Sequence, residues 1–160
     1  MLEIGKKNEM EQKKSIYKQN KKSIYFAHPI DTWQTVDEFI IEKRLKELCY
    51  DVVNPFVEEK KLNEKYGVTN YIEDPSESFA GDIVDEDYKM VARCDEYFGW
   101  FPKGITMIGT PIELTWAKDL KKPITVLCHK PHPFLIKYYD NKFYLSIKDF
   151  LVGKEYKIKP

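Results

Sequence analysis

The chain has 160 residues, 42% of them hydrophobic, which is the size of one domain with an adequate core of its own. Lysine plus arginine and aspartate plus glutamate number 26 each, so the net charge is zero and no overall field attracts nucleic acid or an anionic membrane surface. We therefore expect a small-molecule ligand, with no nucleic acid polymer and no membrane as partner.

The first 22 residues are dominated by Lys, Glu, Gln and Asn and contain few large apolar groups. Such a segment cannot repay the entropy of ordering unless it docks on something else. We predict a flexible charged N-terminal arm over residues 1–22 and one domain over residues 23–160.

The domain begins with a predicted strand over residues 23–27, which ends at His28-Pro29. A helix is predicted over residues 35–48, and a second strand over residues 50–53 stops at Asn54-Pro55. The apolar residues that recur at helical spacing in the helix are Val36, Phe39, Ile40, Leu45 and Leu48.

Residues 58–81 are polar and contain the breakers Gly67, Pro75 and Gly81. A long excursion of this kind is typical of a lid or an insertion.

The second half of the domain repeats the order of helix and strand. We predict a helix over residues 82–94, a strand over 97–101, a helix over 111–120 and a strand over 124–128. Alternating strands and helices predict an α/β fold, an open parallel sheet of four to five strands with helices on both faces, of the Rossmann or flavodoxin-like kind.

An aromatic C-terminal extension follows over residues 129–160. Its segments 134–139 and 142–147 flank Asp140-Asn141, which either turns a hairpin or links two separate segments. The aromatic side chains need a surface to cover, either a neighbouring subunit or the chain's own sheet.

Cysteine usage and hydropathy favour a reducing compartment. Cys49, Cys94 and Cys128 are far apart, lie in apolar stretches and form no C-x-x-C pair, so we expect reduced core thiols. No apolar run approaches the roughly 18 to 20 residues of a membrane span, and the lysine-rich start lacks the hydrophobic core of a signal peptide. These patterns predict a cytoplasmic protein.

His129 and His132 have no third ligand at metal spacing, so we predict no metal site.

Glu113 is the strongest candidate for chemistry. It lies in the first turn of a predicted helix just after a strand, and ligands of open α/β sheets bind at the carboxyl ends of the strands. A purely structural alternative is a capping box, in which Thr110 and Glu113 cap the helix start with Pro111 at its first position.

Four features in order, spanning residues 23–128, resemble the nucleoside 2-deoxyribosyltransferases and the related deoxynucleoside 5′-monophosphate N-glycosidases. Residues 22–27 (KSIYFA) are similar to the family's first strand, and residues 87–95 (DYKMVARCD) to a helix with an early aspartate. Residues 109–117 (GTPIELTWA) are similar to its G-x-x-x-E segment, and residues 122–124 (KPI) to the continuation that follows.

The resemblance implies a sheet of about five strands, a homo-oligomer built from dimers, and cleavage of the bond between a 2-deoxyribose and a nucleobase. It implies no metal and no organic cofactor. Carried over to this sequence, Glu113 is the nucleophile, Asp87 binds the sugar and is a candidate proton donor or acceptor, and Tyr25 positions Glu113. We assign Asp95 a structural role only.

The chemistry has a physical basis of its own. Cleavage of an N-glycosidic bond creates positive charge at the anomeric carbon, which an ionised Glu113 stabilises and can bond to. The helix macrodipole favours the charged carboxylate by up to about 1 kcal/mol, so we expect Glu113 to be deprotonated at neutral pH. The leaving base departs better if an acid protonates it.

Two of these residues also have ordinary alternatives. Asp87 belongs to the acidic run Asp85-Glu86-Asp87, which is typical of a solvated helix face. Tyr25 fits a buried strand tyrosine that needs only some hydrogen-bond partner.

Candidate substrate-binding residues flank the strand ends. His28 either meets the 5′ end of a ligand or caps a turn before Pro29. Lys103, Thr106 and Thr110, with the backbone amides at the helix start at Gly109, supply a cation, hydroxyls and N–H groups suited to a phosphate.

The sequence also departs from the family pattern. Residues 97–112 contain no aspartate or glutamate, whereas the transferases have an acidic contact to the base there, so Asp87 or a residue of 58–81 has to substitute. A serine-rich phosphate cradle and the family's C-terminal asparagine are also missing.

The leading hypothesis is deoxynucleoside or deoxynucleotide cleavage through a covalent adduct on Glu113. A non-catalytic nucleotide-binding module and cleavage of a ribonucleotide or dinucleotide are the rivals.

Overall fold

A computed structural model describes residues 21–67 and 77–158, in which strands and helices alternate. The strands are β1 Ser23–Ala27, β2 Asp51–Val53, β3 Glu96–Phe101, β4 Ile124–Cys128 and β5 Lys142–Tyr144. The helices are α1 Val36–Glu47, α2 Pro55–Tyr66, α3 Glu77–Arg93, α4 Gly109–Asp119, α5 Pro133–Tyr138 and α6 Ile147–Leu151, with a 3-10 turn at Ile30–Thr32.

The five strands form one parallel sheet in the order β2-β1-β3-β4-β5. The predicted open parallel α/β fold is therefore confirmed. The chain order reverses between β1 and β3, and in sheets of this kind a ligand crevice lies beyond the carboxyl ends of the strands at such a reversal. Tyr25 and Tyr97 are direct neighbours in the pairing of these two strands.

Two apolar clusters pack on opposite faces of the sheet, because successive strand residues point to opposite sides. Ile24 and Phe26 of β1 belong to the cluster that includes Ile41 of α1 and Phe150 of α6. The other cluster packs beneath α3 and α4, and its members include Tyr25, Ala27, Met90, Val91, Tyr97, Leu114 and Ala117.

Helix α2 is a structural element that the sequence analysis missed. The pair Asn54-Pro55 both ends β2 and begins α2. Asn54 Oδ1 accepts a hydrogen bond from the backbone N–H of Phe56, and Pro55 occupies the first turn. Gly67, with φ of 65°, ends the helix in the left-handed conformation. The lid or insertion predicted over residues 58–81 thus begins in α2 and ends in α3, and its residues 68–76 lie outside the described part of the chain.

Helix α1 buries a different face from the predicted one. Val36 and Phe39 are 74% and 66% exposed, whereas Ile41 and Leu45 are in the core. Glu38 is also buried, and its Oε1 accepts a 2.8 Å hydrogen bond from Nδ2 of Asn54. The apolar periodicity predicted the helix correctly but not its orientation, because a satisfied carboxylate replaced an apolar contact.

The C-terminal extension continues the sheet. The hairpin alternative is wrong, since β5 pairs with β4 in parallel and α5 lies between them as a crossover. Asp140 Oδ1 accepts from the backbone N–H of Ile124 at 2.7 Å, which fixes the chain where it enters β5. The rings of Tyr139 and Tyr156 pack on Phe143, so these aromatic residues cover the chain's own sheet.

Cys94 and Cys128 are buried free thiols, as expected, but Cys49 is exposed just after α1. Across residues 21–67 and 77–158 no helix combines the length and the apolar character needed to cross a membrane. The predicted N-terminal arm lies almost entirely outside the described residues.

Gly99 gives the first testable prediction. A Cβ there would lie 2.7 Å from Cε2 of Phe101 and 2.9 Å from Cε1 of Tyr97, closer than buried rings tolerate. We expect Gly99→Ala to lower the free energy of unfolding by about 1 to 3 kcal/mol, because overpacking forces rings out of their rotamers. Urea unfolding measures the change. Gly81→Ala, where the added Cβ meets nothing within 4 Å, is the control, and equal stability of the two variants would contradict the packing argument.

Candidate active site

The Glu113 side chain leaves its own helix and crosses to the first strand. Helix α4 begins at Gly109 after Ile108, which makes no side-chain cap, so the capping-box alternative is wrong. Instead Oε1 of Glu113 accepts a 2.9 Å hydrogen bond from the hydroxyl of Tyr25. Glu113 is only 6% exposed, so this bond holds a carboxyl group inside the fold.

A second tyrosine fixes the start of α4. The hydroxyl of Tyr97 donates to the carbonyl oxygen of Thr110 at 3.0 Å, and its ring stacks on that of Tyr25 with centroids 6.0 Å apart. The bare Cα of Gly99 leaves room for the Tyr97 ring. The two hydroxyls thus hold the backbone and the carboxylate of one helical turn. The sequence analysis missed Tyr97, although its place in a strand shortly before Gly99 was a usable signal.

Asp87 lies on α3, which packs against α4. Tyr88 and Trp116 make an edge-to-face contact with ring centroids 5.5 Å apart, and this contact fixes the two helices side by side. Asp87 precedes Tyr88 directly, and it is close enough to Glu113 and Tyr25 for its charge to raise the pKa of both. The structure therefore brings together the three residues predicted to be catalytic.

Glu59 of α2 joins them and was not predicted. Helices α2 and α3 pack together, and the ring of Tyr66 meets that of Phe79 edge-on at 5.3 Å. Glu59 lies about two helical turns before Tyr66 in α2, and Asp87 lies about two turns after Phe79 in α3. The packing of the two helices therefore places Glu59 opposite Asp87. Glu59 is 7% exposed, and the charge of Asp87 raises its pKa.

Burial dominates the ionisation of these carboxyl groups. It raises the pKa of Glu113 to about 8, with a further contribution from the charge of Asp87, while the hydrogen bond from Tyr25 opposes the rise. Burial also raises the pKa of Asp87 to about 7 and that of Glu59 to about 8. The expectation that the helix dipole keeps Glu113 deprotonated is therefore wrong for the protein without ligand, because a dipole effect of up to about 1 kcal/mol is smaller than this desolvation.

Three neighbouring carboxyl groups with raised pKa values cannot all be charged near neutral pH. Some of them then hold protons while others are ionised, so this arrangement can supply both an acid and a carboxylate. Burial raises the pKa of Tyr25 well above its usual range, so its hydroxyl stays protonated and donates to Glu113.

His28 is placed differently from a phosphate ligand. It is 2% exposed, and its ring lies against Phe26 and Phe56. The hydroxyl of Thr32 donates to the carbonyl of Pro29, so Nδ1 of His28 is the donor in its 2.7 Å contact with Thr32. Burial lowers the pKa of His28 to about 4, which leaves a neutral ring.

Of the other candidate binding residues, Gly109 and Thr110 lie beside Glu113. A Cβ built on Gly109 would be 3.8 Å from Glu113 Oε1, so glycine leaves the approach to that oxygen open. Lys103 and Thr106 are exposed in the loop before α4. Within the described ranges no hydrogen bond joins them to the three carboxyl groups.

An apolar cavity of about 620 Å³ lies along another side of α4, and its lining includes Phe101, Leu114, Leu135 and Tyr138. Glu113 does not line it. The cavity and the carboxyl group of Glu113 therefore lie on different faces of α4. In the part of the chain that the structure describes, no three His, Cys, Asp or Glu side chains are grouped so as to hold a metal ion.

Comparison with solved structures finds this fold in enzymes of nucleoside chemistry. The chain is similar to a 2-deoxyribosyltransferase from Bacillus psychrosaccharolyticus, with a TM-score of 0.58 and 18% identity over 81% of this chain and 90% of the other. It is also similar to a CMP N-glycosidase from Clostridium botulinum, with a TM-score of 0.54 and 18% identity over 82% and 96%. A conserved protein from Enterococcus faecalis V583 matches with a TM-score of 0.53 and 14% identity over 82% and 95%.

No protein-family model matches the chain, and no curated protein matches it by sequence. The resemblance to the deoxyribosyltransferases and N-glycosidases is confirmed at the level of the fold. At 14–18% identity, what this chain itself does must be argued from its side chains.

The buried carboxyl group of Glu113 predicts a pH-dependent stability. Between its usual pKa and about 8 the folded state holds a proton that the unfolded state has lost, so stability falls as pH rises through this window. Glu113→Gln cannot ionise and keeps an acceptor for Tyr25. We expect the variant to gain about 1 to 4 kcal/mol relative to the native protein at pH 8.5 and much less at pH 4.5.

Chemical denaturation at both pH values measures this difference. The control is Glu58→Gln, which changes a carboxylate paired with Lys61 at the surface. A Glu113→Gln variant with the same pH dependence as the native protein would show that the carboxyl group titrates normally.

Proposed function

We propose that this chain cleaves the N-glycosidic bond of a 2′-deoxynucleoside or of a deoxynucleoside 5′-monophosphate, with Glu113 as the nucleophile. The single observation that carries the proposal is the buried hydrogen bond from Tyr25 to Glu113 at the start of α4. It orients a carboxylate at the carboxyl edge of the sheet, where α/β enzymes bind their ligands.

In the first step one oxygen of Glu113 attacks C1′ of the sugar while the bond from C1′ to the base nitrogen breaks. The attacking carboxylate must be ionised, whereas burial raises the pKa of Glu113 to about 8. Positive charge that develops on the sugar favours the ionised form, as an opposite charge nearby always does. Nucleophile and substrate therefore stabilise each other in the transition state.

Tyr25 and Asp87 support this step. The hydroxyl of Tyr25 holds one oxygen of Glu113 without adding charge, so the other oxygen is free to face C1′. Oδ1 of Asp87 is buried and has no hydrogen-bond partner among the described residues. A buried oxygen without a partner can accept a hydrogen bond from a sugar hydroxyl.

In the second step the deoxyribosyl group passes from Glu113 to another base or to water. Both outcomes share the covalent ester, and both take a small-molecule substrate. For a 5′-monophosphate, the N–H groups at Gly109 and Thr110, together with Lys103 and Thr106, are the proposed phosphate contacts.

We further propose that copies of the chain associate into a homodimer or a higher oligomer. Ile108 and Ile112 at the start of α4 and Phe134 at the start of α5 expose large apolar side chains. Surfaces of this kind mark protein contacts more often than open solvent.

The activity test is a panel of deoxynucleosides and their 5′-monophosphates, each incubated with and without a second free base and analysed by chromatography. We expect base release by the native protein and a loss of at least about 10³-fold in Glu113→Ala, because the nucleophile is gone. Acid quenching followed by mass spectrometry should find one deoxyribosyl group on Glu113.

Glu47→Ala is the control, since this glutamate is exposed on α1 and pairs with Arg44. Equal background release by the native protein and Glu113→Ala across the panel would exclude the enzyme. Ligand-induced thermal stabilisation without turnover would then favour a non-catalytic nucleotide-binding module.

A further inference from the structure

The proposed reaction lacks an obvious acid. A neutral base leaves as an anion unless a proton reaches one of its ring atoms, and general acids contribute about 10²- to 10⁴-fold to such steps. The loop between β3 and α4 contains no aspartate or glutamate. Any carboxylic acid that serves the base must therefore come from another element.

Glu59 is unusual among the buried carboxyl groups. It is more than nine-tenths buried and makes no hydrogen bond within the described part of the chain. Glu96 is equally buried, but its oxygens accept from Lys22 at 2.8 Å and from Tyr50 at 2.9 Å. Buried polar groups are nearly always paired, so a carboxyl group without a partner is open to a ligand.

The order of the three carboxyl groups separates their roles. Helix α3, which carries Asp87, packs against both α2, which carries Glu59, and α4, which carries Glu113. Asp87 therefore lies between the other two. A base must depart on the side of C1′ away from the attacking oxygen, so its acid has to come from a different element, and α2 is the helix on the other side of α3 from Glu113.

We propose that Glu59 is the catalytic acid that protonates the departing base and then serves as the base of the second step. This inference rests on the function proposed above. In the first step the bond between C1′ and the base nitrogen breaks, the bond between C1′ and Glu113 forms, and the proton of Glu59 moves to a ring atom of the base. In the second step Glu59 takes the proton of the incoming water or base while the ester on Glu113 breaks.

The ionisation of the site agrees with this assignment. Burial and the charge of Asp87 raise the pKa of Glu59 to about 8, so the group carries a proton at neutral pH. The other titratable groups that face the site are Asp87 from α3, Glu113 from α4, Tyr25 from β1 and Tyr97 from β3, and none of them is a cation. No positive charge among the described groups draws the proton away.

The test compares two substrates of the native protein, Glu59→Gln and Glu58→Gln. Natural deoxynucleosides need a proton on the leaving base, whereas 7-methyl-2′-deoxyguanosine already carries a positive charge on its base and leaves without one. Glutamine has the shape of glutamate and cannot donate this proton. Glu58→Gln makes the same change next door on α2, where the side chain pairs with Lys61 instead.

We expect Glu59→Gln to lose about 10²- to 10⁴-fold in kcat/KM on natural deoxynucleosides and less than about fivefold on the methylated one, after subtraction of its spontaneous hydrolysis. The fall of kcat/KM at alkaline pH should also disappear in this variant. Glu58→Gln should match the native protein on both substrates.

Equal losses on both substrates, or no loss on either, would overturn the role of Glu59 while leaving the proposed function intact. Failure of the native protein and of every variant to release base from either substrate would overturn both proposals. Glu113→Ala distinguishes loss of the nucleophile from loss of the acid, because this variant should be inactive on the methylated substrate as well.

Discussion

The hydrogen bond between Tyr25 and Glu113 is the constraint on which the rest of the site depends. It joins the middle of the first strand to an early turn of the fourth helix, 88 residues later in the chain. The sheet register sets it up, since β1 and β3 pair so that Tyr25 and Tyr97 lie side by side beneath that turn. One tyrosine then holds the carboxyl group and the other holds the backbone.

Burial raises the pKa of Glu113 at a cost in stability. A carboxyl group inside the fold loses its hydration, and one neutral hydroxyl restores only part of it. The neighbouring Asp87 and Glu59 raise the pKa of Glu113 further instead of relieving its burial. Clusters of buried carboxyl groups with raised pKa values are typical of functional sites, where a bound ligand compensates for the burial.

The fold and the site carry different kinds of information about function. The sheet order and the overall shape match solved deoxyribosyltransferase and N-glycosidase structures at low identity, and one such fold can serve many chemistries. The local geometry is more specific. A carboxylate held by a tyrosine, a second unpaired carboxyl group and an open glycine beside them suit a reaction that passes through a positively charged sugar.

The sequence by itself determined the parallel α/β fold and the segment that contains Glu113, because alternating apolar runs and helix-start residues are local signals. It did not determine helix α2, whose residues are too polar to show a buried face, or the orientation of α1, where Glu38 is buried in place of Phe39.

Only the tertiary structure decided which group Glu113 contacts. The local sequence pattern favoured a cap on its own helix, and the family resemblance favoured a contact to Tyr25. The structure also decided that Glu59 faces Asp87 and that burial outweighs the helix dipole at Glu113. These outcomes depend on contacts between residues far apart in the chain, and a pattern of neighbouring residues does not encode how much water a fold removes from a side chain.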